Sequence, residues 1–156
     1  MIKVLMHGCN GKMGQVVSRM VDETEGMELA AGVDRFLGRE NPYPVFESVE
    51  ACDVPVDVVI DFSNAAAVDD LLEACAKKGL VLCTTGLSEE QIAKVKKTSE
   101  KVAVLRSANM SLGVNLLMKL LKDASKVLAP AGYDIEIVEK HHNQKVDAPS
   151  GTALAL

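Results

Sequence analysis

Near its amino terminus the chain reads Ile2-Lys3-Val4-Leu5-Met6-His7-Gly8-Cys9-Asn10-Gly11-Lys12-Met13-Gly14. Ile2–His7 is a β-branched and apolar run of the kind that forms a strand buried on both faces. It passes directly into Gly-x-x-Gly-x-x-Gly, a variant of the dinucleotide fingerprint. Such a loop must turn sharply and let its backbone approach a pyrophosphate, while the last glycine lets the next helix pack close to the sheet. Met13, Val16, Val17, Met20 and Val21 follow at i, i+3, i+4, i+7 and i+8, one face of a helix. Exposed N–H groups at the start of that helix favour anionic phosphates.

Working outward, Met27–Val33 reads as a second strand, and Asp34 at its end lies twenty residues beyond Gly14. A carboxylate there is placed to accept hydrogen bonds from a ribose. Arg35 beside it can attract a 2′-phosphate or stack on adenine, so the pair suggests tolerance of both NADH and NADPH. The stretch Arg35–Phe46, with Gly38, Pro42 and Pro44, reads as a loop. Strands are expected at Asp57–Asp61, Leu80–Cys83, Val102–Leu105 and Tyr133–Glu139. Between them, Ser63 and Asn64 supply N-cap chemistry to a helix carrying Val68, Leu71, Leu72 and Cys75 on one face and stopping near Gly79. Ser88-Glu89-Glu90-Gln91 has the form of a capping box, and Leu112–Leu128 is an apolar-striped helix ending before Pro130. Strands alternating with helices predict a Rossmann-like open parallel α/β sheet, which binds ligands beyond the carboxyl ends of its strands. The pattern changes after Ala108. A dinucleotide-binding domain is therefore expected over 1–108, and the amino-terminal part of an α+β substrate domain over 109–156.

Composition narrows the function. The 156 residues carry 17 Lys+Arg against 22 Asp+Glu, a formal charge of −5, which argues against neutralising nucleic-acid phosphates. Aromatic residues are only 3%, too few for a base-stacking platform. No apolar run reaches the roughly 18–20 residues of a membrane span, and the N-terminal apolar run is too short for a signal sequence. A cytoplasmic location is expected. Cys9, Cys52, Cys75 and Cys83 lack any Cys-x-x-Cys spacing and read as reduced, small apolar residues. The only histidines, His7, His141 and His142, do not stand at ligand spacing from a cysteine pair, so no metal site is expected.

A second chemistry-bearing stretch runs Glu139-Lys140-His141-His142-Asn143-Gln144-Lys145-Val146-Asp147-Ala148-Pro149-Ser150-Gly151-Thr152. A histidine can deliver a proton near neutrality, and Lys145 supplies a cation suited to a carboxylate or an imine-like nitrogen. Ser150-Gly151-Thr152, ahead of a helical run, offers backbone N–H groups and hydroxyls as an anion cradle. The chemistry suits an anionic substrate that must receive a proton.

These segments, with Cys83-Thr84-Thr85-Gly86 and Ser107-Ala108-Asn109-Met110-Ser111-Leu112-Gly113-Val114-Asn115, closely resemble the 4-hydroxy-tetrahydrodipicolinate reductase family, also called dihydrodipicolinate reductases. The resemblance runs from residue 1 to residue 156. It implies an NAD(P)H-dependent reduction, with loss of water, in the diaminopimelate and lysine pathway, acting on a small dicarboxylate. It further implies that Gly8, Asn10, Gly11, Lys12, Met13 and Gly14 wrap the pyrophosphate, and that Asp34 and Arg35 hold the adenosine ribose. Thr84, Thr85 and Gly86 would lie against the nicotinamide ribose, and Ala108, Asn109 and Met110 beside the nicotinamide ring. His141 matches the proton donor, Lys145 its cooperating cation and His142 a substrate contact, while Ser150, Gly151 and Thr152 match the carboxylate cradle. Family members continue past the last residue here and assemble as homotetramers. Two expectations therefore stand: a reductase, or a C-terminally truncated NAD(P)-binding fragment of one with impaired catalysis.

Overall fold

The computed structural model describes residues 1–143 and 148–156. It divides into two units, Met1–Ser107 and Ala108–Leu156.

The first unit is built on β1 (Ile2–His7), whose side chains alternate between two buried layers. Leu5 joins Ala31, Val33, Val59, Leu71, Leu80 and Leu82 on one face, while Val4 and Met6 join Cys9, Val21 and Leu29 on the other. Burial on both faces is why its centre, Val4-Leu5-Met6, is continuously apolar rather than alternating. The helix α1 (Lys12–Asp22) follows, then β2 (Met27–Val33), β3 (Val45–Phe46) and β4 (Val58–Asp61). A short 3-10 turn, Ala65–Ala67, leads into α2 (Val68–Ala74), and β5 (Gly79–Leu82), α3 (Glu89–Ser99) and β6 (Val104–Arg106) complete the unit. The six strands are all parallel, in the order β3-β2-β1-β4-β5-β6. This is the Rossmann-like sheet expected from the alternation of strands and helices. The chain order reverses between β1 and β4, so successive connections leave opposite faces of the sheet and open a crevice at the strands' carboxyl ends.

Local signals locate most boundaries. The Ser88 hydroxyl accepts from Gln91 N–H and the Gln91 side chain accepts from Ser88 N–H, closing the capping box of α3. The Asn64 side chain caps the 3-10 turn by accepting from Ala66 N–H. Several details differ from expectation, among them β6, which spans Val104–Arg106 where Val102–Leu105 was expected, and β5, which spans Gly79–Leu82 where Leu80–Cys83 was expected. Within the predicted loop Arg35–Phe46, Val45 and Phe46 pair with Gly32 and Val33 as an edge strand. The helix predicted to stop near Gly79 ends at Ala74, and Gly79 is instead the first residue of β5.

In the second unit, α4 (Leu112–Leu128) has the predicted bounds, capped by Ser111, whose hydroxyl accepts from Val114 N–H. After a 3-10 turn at Ala129–Ala131 the chain is irregular until α5 (Gly151–Ala155). The sixth strand expected at Tyr133–Glu139 does not form, and the described residues of this unit contain no strand. Its alternation is real, with Ile135 and Ile137 on one side, but alternation supplies a face and not a ladder partner. A strand without a hydrogen-bonded neighbour gains nothing over irregular chain. Among the described residues no helix is long and apolar enough to cross a membrane.

Candidate functional site

The crevice of the first unit is floored by the turn from β1 into α1. Gly8 has a φ of +81°, a left-handed conformation that favours glycine, and a Cβ there would stand 2.7 Å from the Phe62 carbonyl oxygen. Gly14 is buried, and a Cβ on it would lie 2.0 Å from the Gly8 carbonyl oxygen. The two glycines thus let the loop meet the end of β4 on one side and α1 on the other. Gly11 is the N-cap of α1, which has no side-chain cap and no acidic residue in its first turn. The first amides of a helix need acceptors, and here no capping side chain supplies one. Lys12 and Met13 in that turn are exposed.

Asp34 is tied into the same loop. Its Oδ2 accepts from Asn10 N–H at 2.9 Å and its Oδ1 from Phe36 N–H at 3.0 Å. Asn10 is latched further: its Nδ2 donates to the Phe36 carbonyl, and its Oδ1 accepts from Asn41 Nδ2 at 2.9 Å. The carboxylate and the glycine loop therefore form one hydrogen-bonded unit, with the exposed Arg35 beside it.

Two neighbouring cavities occupy this crevice. One of about 240 Å³ is lined by Gly8, Gly11, Asp34, Ser63 and Asn64, together with His7, Arg35 and Ala67. The other, about 520 Å³, is lined by the same His7, Arg35 and Ala67 and by Val33, Ser48 and Asp70 among others. Sequence reasoning read Ser63 and Asn64 only as capping residues and gave His7 no role. The signal that could have found them is position, since they end or follow β1 and β4, the two strands that flank the reversal in strand order.

Beneath the crevice Asp61, at the end of β4, is completely buried. His7 Nδ1 stands 2.9 Å from its Oδ1, and the Ser63 hydroxyl donates to the same oxygen at 2.6 Å. Burial works against the charge on Asp61, but His7, Ser63 and Thr84, all facing the carboxylate, hold its pKa below the usual range. None of the three buried atoms His7 Nδ1, Asp61 Oδ2 and Thr84 Oγ1 has a well-formed hydrogen bond. Thr84 is thus a buried member of this cluster, while Thr85 and Gly86 beyond it are exposed.

The second unit gathers the other predicted residues. His141 Nε2 is 3.3 Å from Glu139 Oε2, and Glu139 Oε1 accepts from Ser150 N–H at 2.9 Å. Ser150 is buried and caps α5, its hydroxyl accepting from Ala153 N–H at 3.0 Å. Asn109 Nδ2 donates to Thr152 Oγ1 at 2.9 Å, so Asn109 and the predicted cradle are joined. Ala108, Met110 and His142 are exposed, and Gly151 is half-buried. Lys145 lies outside the described residues. Among the described residues no group of three His, Cys, Asp or Glu side chains is arranged to hold a metal ion.

Comparison with known proteins bears on both units. The family model "Dihydrodipicolinate reductase, N-terminus" matches residues 2–110, and "Dihydrodipicolinate reductase, C-terminus" matches residues 113–156. The 4-hydroxy-tetrahydrodipicolinate reductase of Clostridium novyi (strain NT) is 52% identical over 158 residues, covering 100% of this chain and 62% of that protein. A relative of the same name from Caldanaerobacter subterraneus is 49% identical with the same coverage. The chain thus spans about 62% of the length of these curated relatives. Among solved structures, a dipicolinate-bound dihydrodipicolinate reductase from Paenisporosarcina sp. TG-14 superposes with a TM-score of 0.80 at 32% identity, covering 99% of this chain and 63% of that one. The apo scyllo-inositol dehydrogenase of Lactobacillus casei, at 17% identity, TM-score 0.57 and coverage of 81% and 42%, shares the fold alone. The chain belongs to the dihydrodipicolinate reductase family.

Proposed function

We propose that this chain carries the nucleotide site and part of the substrate site of an NAD(P)H-dependent 4-hydroxy-tetrahydrodipicolinate reductase. The observation that carries the reading is the uncapped start of α1, opening on a cavity whose wall includes Gly8, Gly11 and the loop-bound Asp34. Its donors and its carboxylate fit the two halves of an adenosine diphosphate group, amides toward phosphate and Asp34 toward ribose hydroxyls. Gly8, Asn10, Gly11, Lys12, Met13 and Gly14 would hold the pyrophosphate, and Asp34 and Arg35 the ribose. Thr84, Thr85, Gly86, Ala108, Asn109 and Met110 would serve the nicotinamide end. When bound, the reduced nicotinamide supplies a hydride.

The chain's own residues then orient the substrate and manage a proton. Ser150, Gly151 and Thr152 would hold a carboxylate of a small dicarboxylate substrate, with His142 as a further contact. What supports this is that the Ser150 amide already donates to a carboxylate, that of Glu139. The same Glu139 side chain faces His141 Nε2 at 3.3 Å, an approach that is attractive when that nitrogen carries a proton. His141 would deliver that proton to the substrate, with Lys145 as the accompanying cation. The dipicolinate named with the Paenisporosarcina structure is a dicarboxylate of the same class. A cytoplasmic location and a homotetrameric assembly of the whole enzyme belong to the same proposal.

Titrating the chain with NADH and NADPH by fluorescence, then adding freshly generated substrate, tests the reading. Saturable binding followed by substrate-dependent oxidation is expected. His141→Ala should lower turnover and largely spare cofactor affinity, and Asp34→Ala should weaken NADH more than NADPH. Absence of dinucleotide binding would refute the proposal, and binding without oxidation would leave only the cofactor-binding fragment.

A further inference from the structure

His7, Asp61 and Ser63 form a buried cluster that the chemistry above does not use, although two of its members line the nucleotide crevice. Asp61 is completely buried, whereas the His7 side chain is 12% exposed and borders both cavities. A carboxylate without solvent depends on its neighbours: Oδ1 accepts from the Ser63 hydroxyl at 2.6 Å and faces the imidazole Nδ1 at 2.9 Å, while Oδ2 has no hydrogen-bond partner among the described residues. The Ser63 amide adds a third contact at 3.2 Å to the same oxygen.

This arrangement spends donors in a particular way. Nδ1 lies 2.9 Å from a carboxylate oxygen, a short approach without well-formed hydrogen-bond alignment, and a proton on that nitrogen makes the approach attractive; in the neutral ring this leaves Nε2 as an acceptor. The Ser63 hydroxyl likewise gives its hydrogen to Asp61 and keeps only its lone pairs for the crevice. Two acceptors side by side suit the hydroxyls of a sugar rather than the oxygens of a phosphate. Position agrees with this chemistry. His7 stands where the smaller cavity, walled by the glycine loop, adjoins the larger one. In a dinucleotide the adenosine ribose is the part that links phosphate to base.

We propose that Asp61 is a positioning residue of the nucleotide site, fixing the tautomer and direction of His7 and the hydroxyl of Ser63 so that both accept hydrogen bonds from the adenosine ribose. The proposal rests on the dinucleotide reading of the crevice and adds His7 and Ser63 to its ribose contacts. Asp61 would act only through them.

Three variants separate this from a structural role. His7→Asn keeps an atom near the Nδ1 position but loses the one facing the crevice, whereas His7→Gln reaches the Nε2 position. Asp61→Asn can donate to Nδ1 and so move the ring proton to Nε2. NADH affinity by fluorescence titration, melting temperature and the ¹⁵N shifts of the His7 ring are measured for each. Wild type should show the Nδ1–H tautomer without ligand, and Asp61→Asn the opposite tautomer. NADH affinity should fall roughly tenfold in His7→Asn and Asp61→Asn, and no more than about threefold in His7→Gln, the range expected for a lost or weakened hydrogen bond. An Nε2–H tautomer in the wild type overturns the proposal, as does NADH affinity in His7→Asn equal to wild type. If Asp61→Asn does not fold, the two His7 variants decide the matter alone. A wild type that binds no dinucleotide refutes the cofactor reading itself and takes this role with it, a result distinct from unchanged affinity among binding-competent variants.

Discussion

Replacing Gly14 by alanine tests whether the glycine loop is required by close packing or merely tolerated. An added Cβ would lie 2.0 Å from the Gly8 carbonyl oxygen and 2.9 Å from Cys9 Cα, and real Cβ atoms essentially never come within 3.0 Å of such neighbours. Loop and helix must therefore separate by about 1 Å. The obstructing atoms are backbone, so no side chain can swing aside. Overpacking of this kind costs about 3 kcal/mol at the upper end of its usual range. The alanine regains about 1 kcal/mol of helix propensity, leaving a net loss of about 2 kcal/mol. For a unit of this size that lowers the melting temperature by roughly 8–15 °C. Thermal and urea denaturation followed by far-UV circular dichroism measure it, with two controls. Gly113→Ala, in the first turn of α4 with its nearest atom 3.9 Å away, should be neutral or slightly stabilising. Gly86→Ala, at φ +74° with nothing within 4 Å, carries only the conformational cost, about 1 kcal/mol. The order Gly113→Ala, Gly86→Ala, Gly14→Ala in rising damage is the expectation. A Gly14→Ala protein melting within about 2 °C of wild type, well below the shift expected for 2 kcal/mol, would refute the close-approach reasoning.

Two further outcomes follow from buried titratable groups. Burial pushes the thiols of Cys9, Cys75 and Cys83 up to about 11, with Asp34 adding to the effect at Cys9 and Asp61 at Cys83. A maleimide at mildly alkaline pH should therefore label the half-buried Cys52 first and the other three only at the rate of unfolding, as peptide mass mapping over time would record; rapid native-state labelling of Cys75 would contradict this. Asp61 has the opposite sign. Its folded pKa lies below that of the unfolded chain, so its contribution to stability is full above the ordinary carboxylate range near about 4 and is lost as the pH falls through the folded value. The urea midpoint of the wild type should drop more steeply with acid than that of Asp61→Asn, and parallel acid limbs would show that Asp61 is not linked to folding.

What the sequence made legible was whatever repeats or punctuates. β1, β2 and α4 have the bounds expected of them: α4 is long enough for its helical period to outweigh chance, and β1 and β2 are short, mostly apolar stretches that end at polar or glycine-bearing turns. The α3 start was legible because a capping box is chemistry at fixed spacing. β3 was not, since two residues paired to Gly32 and Val33 contain no period at all. Tyr133–Glu139 failed for the converse reason, having the pattern of a strand without a partner to pair with. The glycine loop and Asp34 were legible as a motif, yet the sequence could not say that Asn10 and Asp34 are joined by a hydrogen bond. His7 was illegible because a single polar residue ending an apolar strand resembles any other until the sheet brings Asp61 beside it.

The treatment of helix ends connects these observations. α3, α4 and α5 each begin with a serine whose hydroxyl accepts from the third residue's amide, and α3 adds two glutamates in its first turn. α1 has neither device. An N-terminal cap is typically worth about 1 kcal/mol, so α1, which like α2 has no side-chain cap but unlike α2 has no acidic residue in its first turn, forgoes stability that a single substitution at Gly11 could supply. A serine there would place an oxygen over the first-turn amides, competing with any phosphate for the same donors. The chain as a whole is negative, with a formal charge of −5, so its net charge opposes rather than assists the long-range approach of an anion. In the proposed site recognition would instead come from groups in contact: the amides at the start of α1, the cations Lys12 and Arg35, and acceptors directed at hydroxyls rather than phosphates. Such a division of labour would let carboxylates and an imidazole line a site for an anionic ligand. On the proposed reading they would face its sugar, and the uncapped helix its charge.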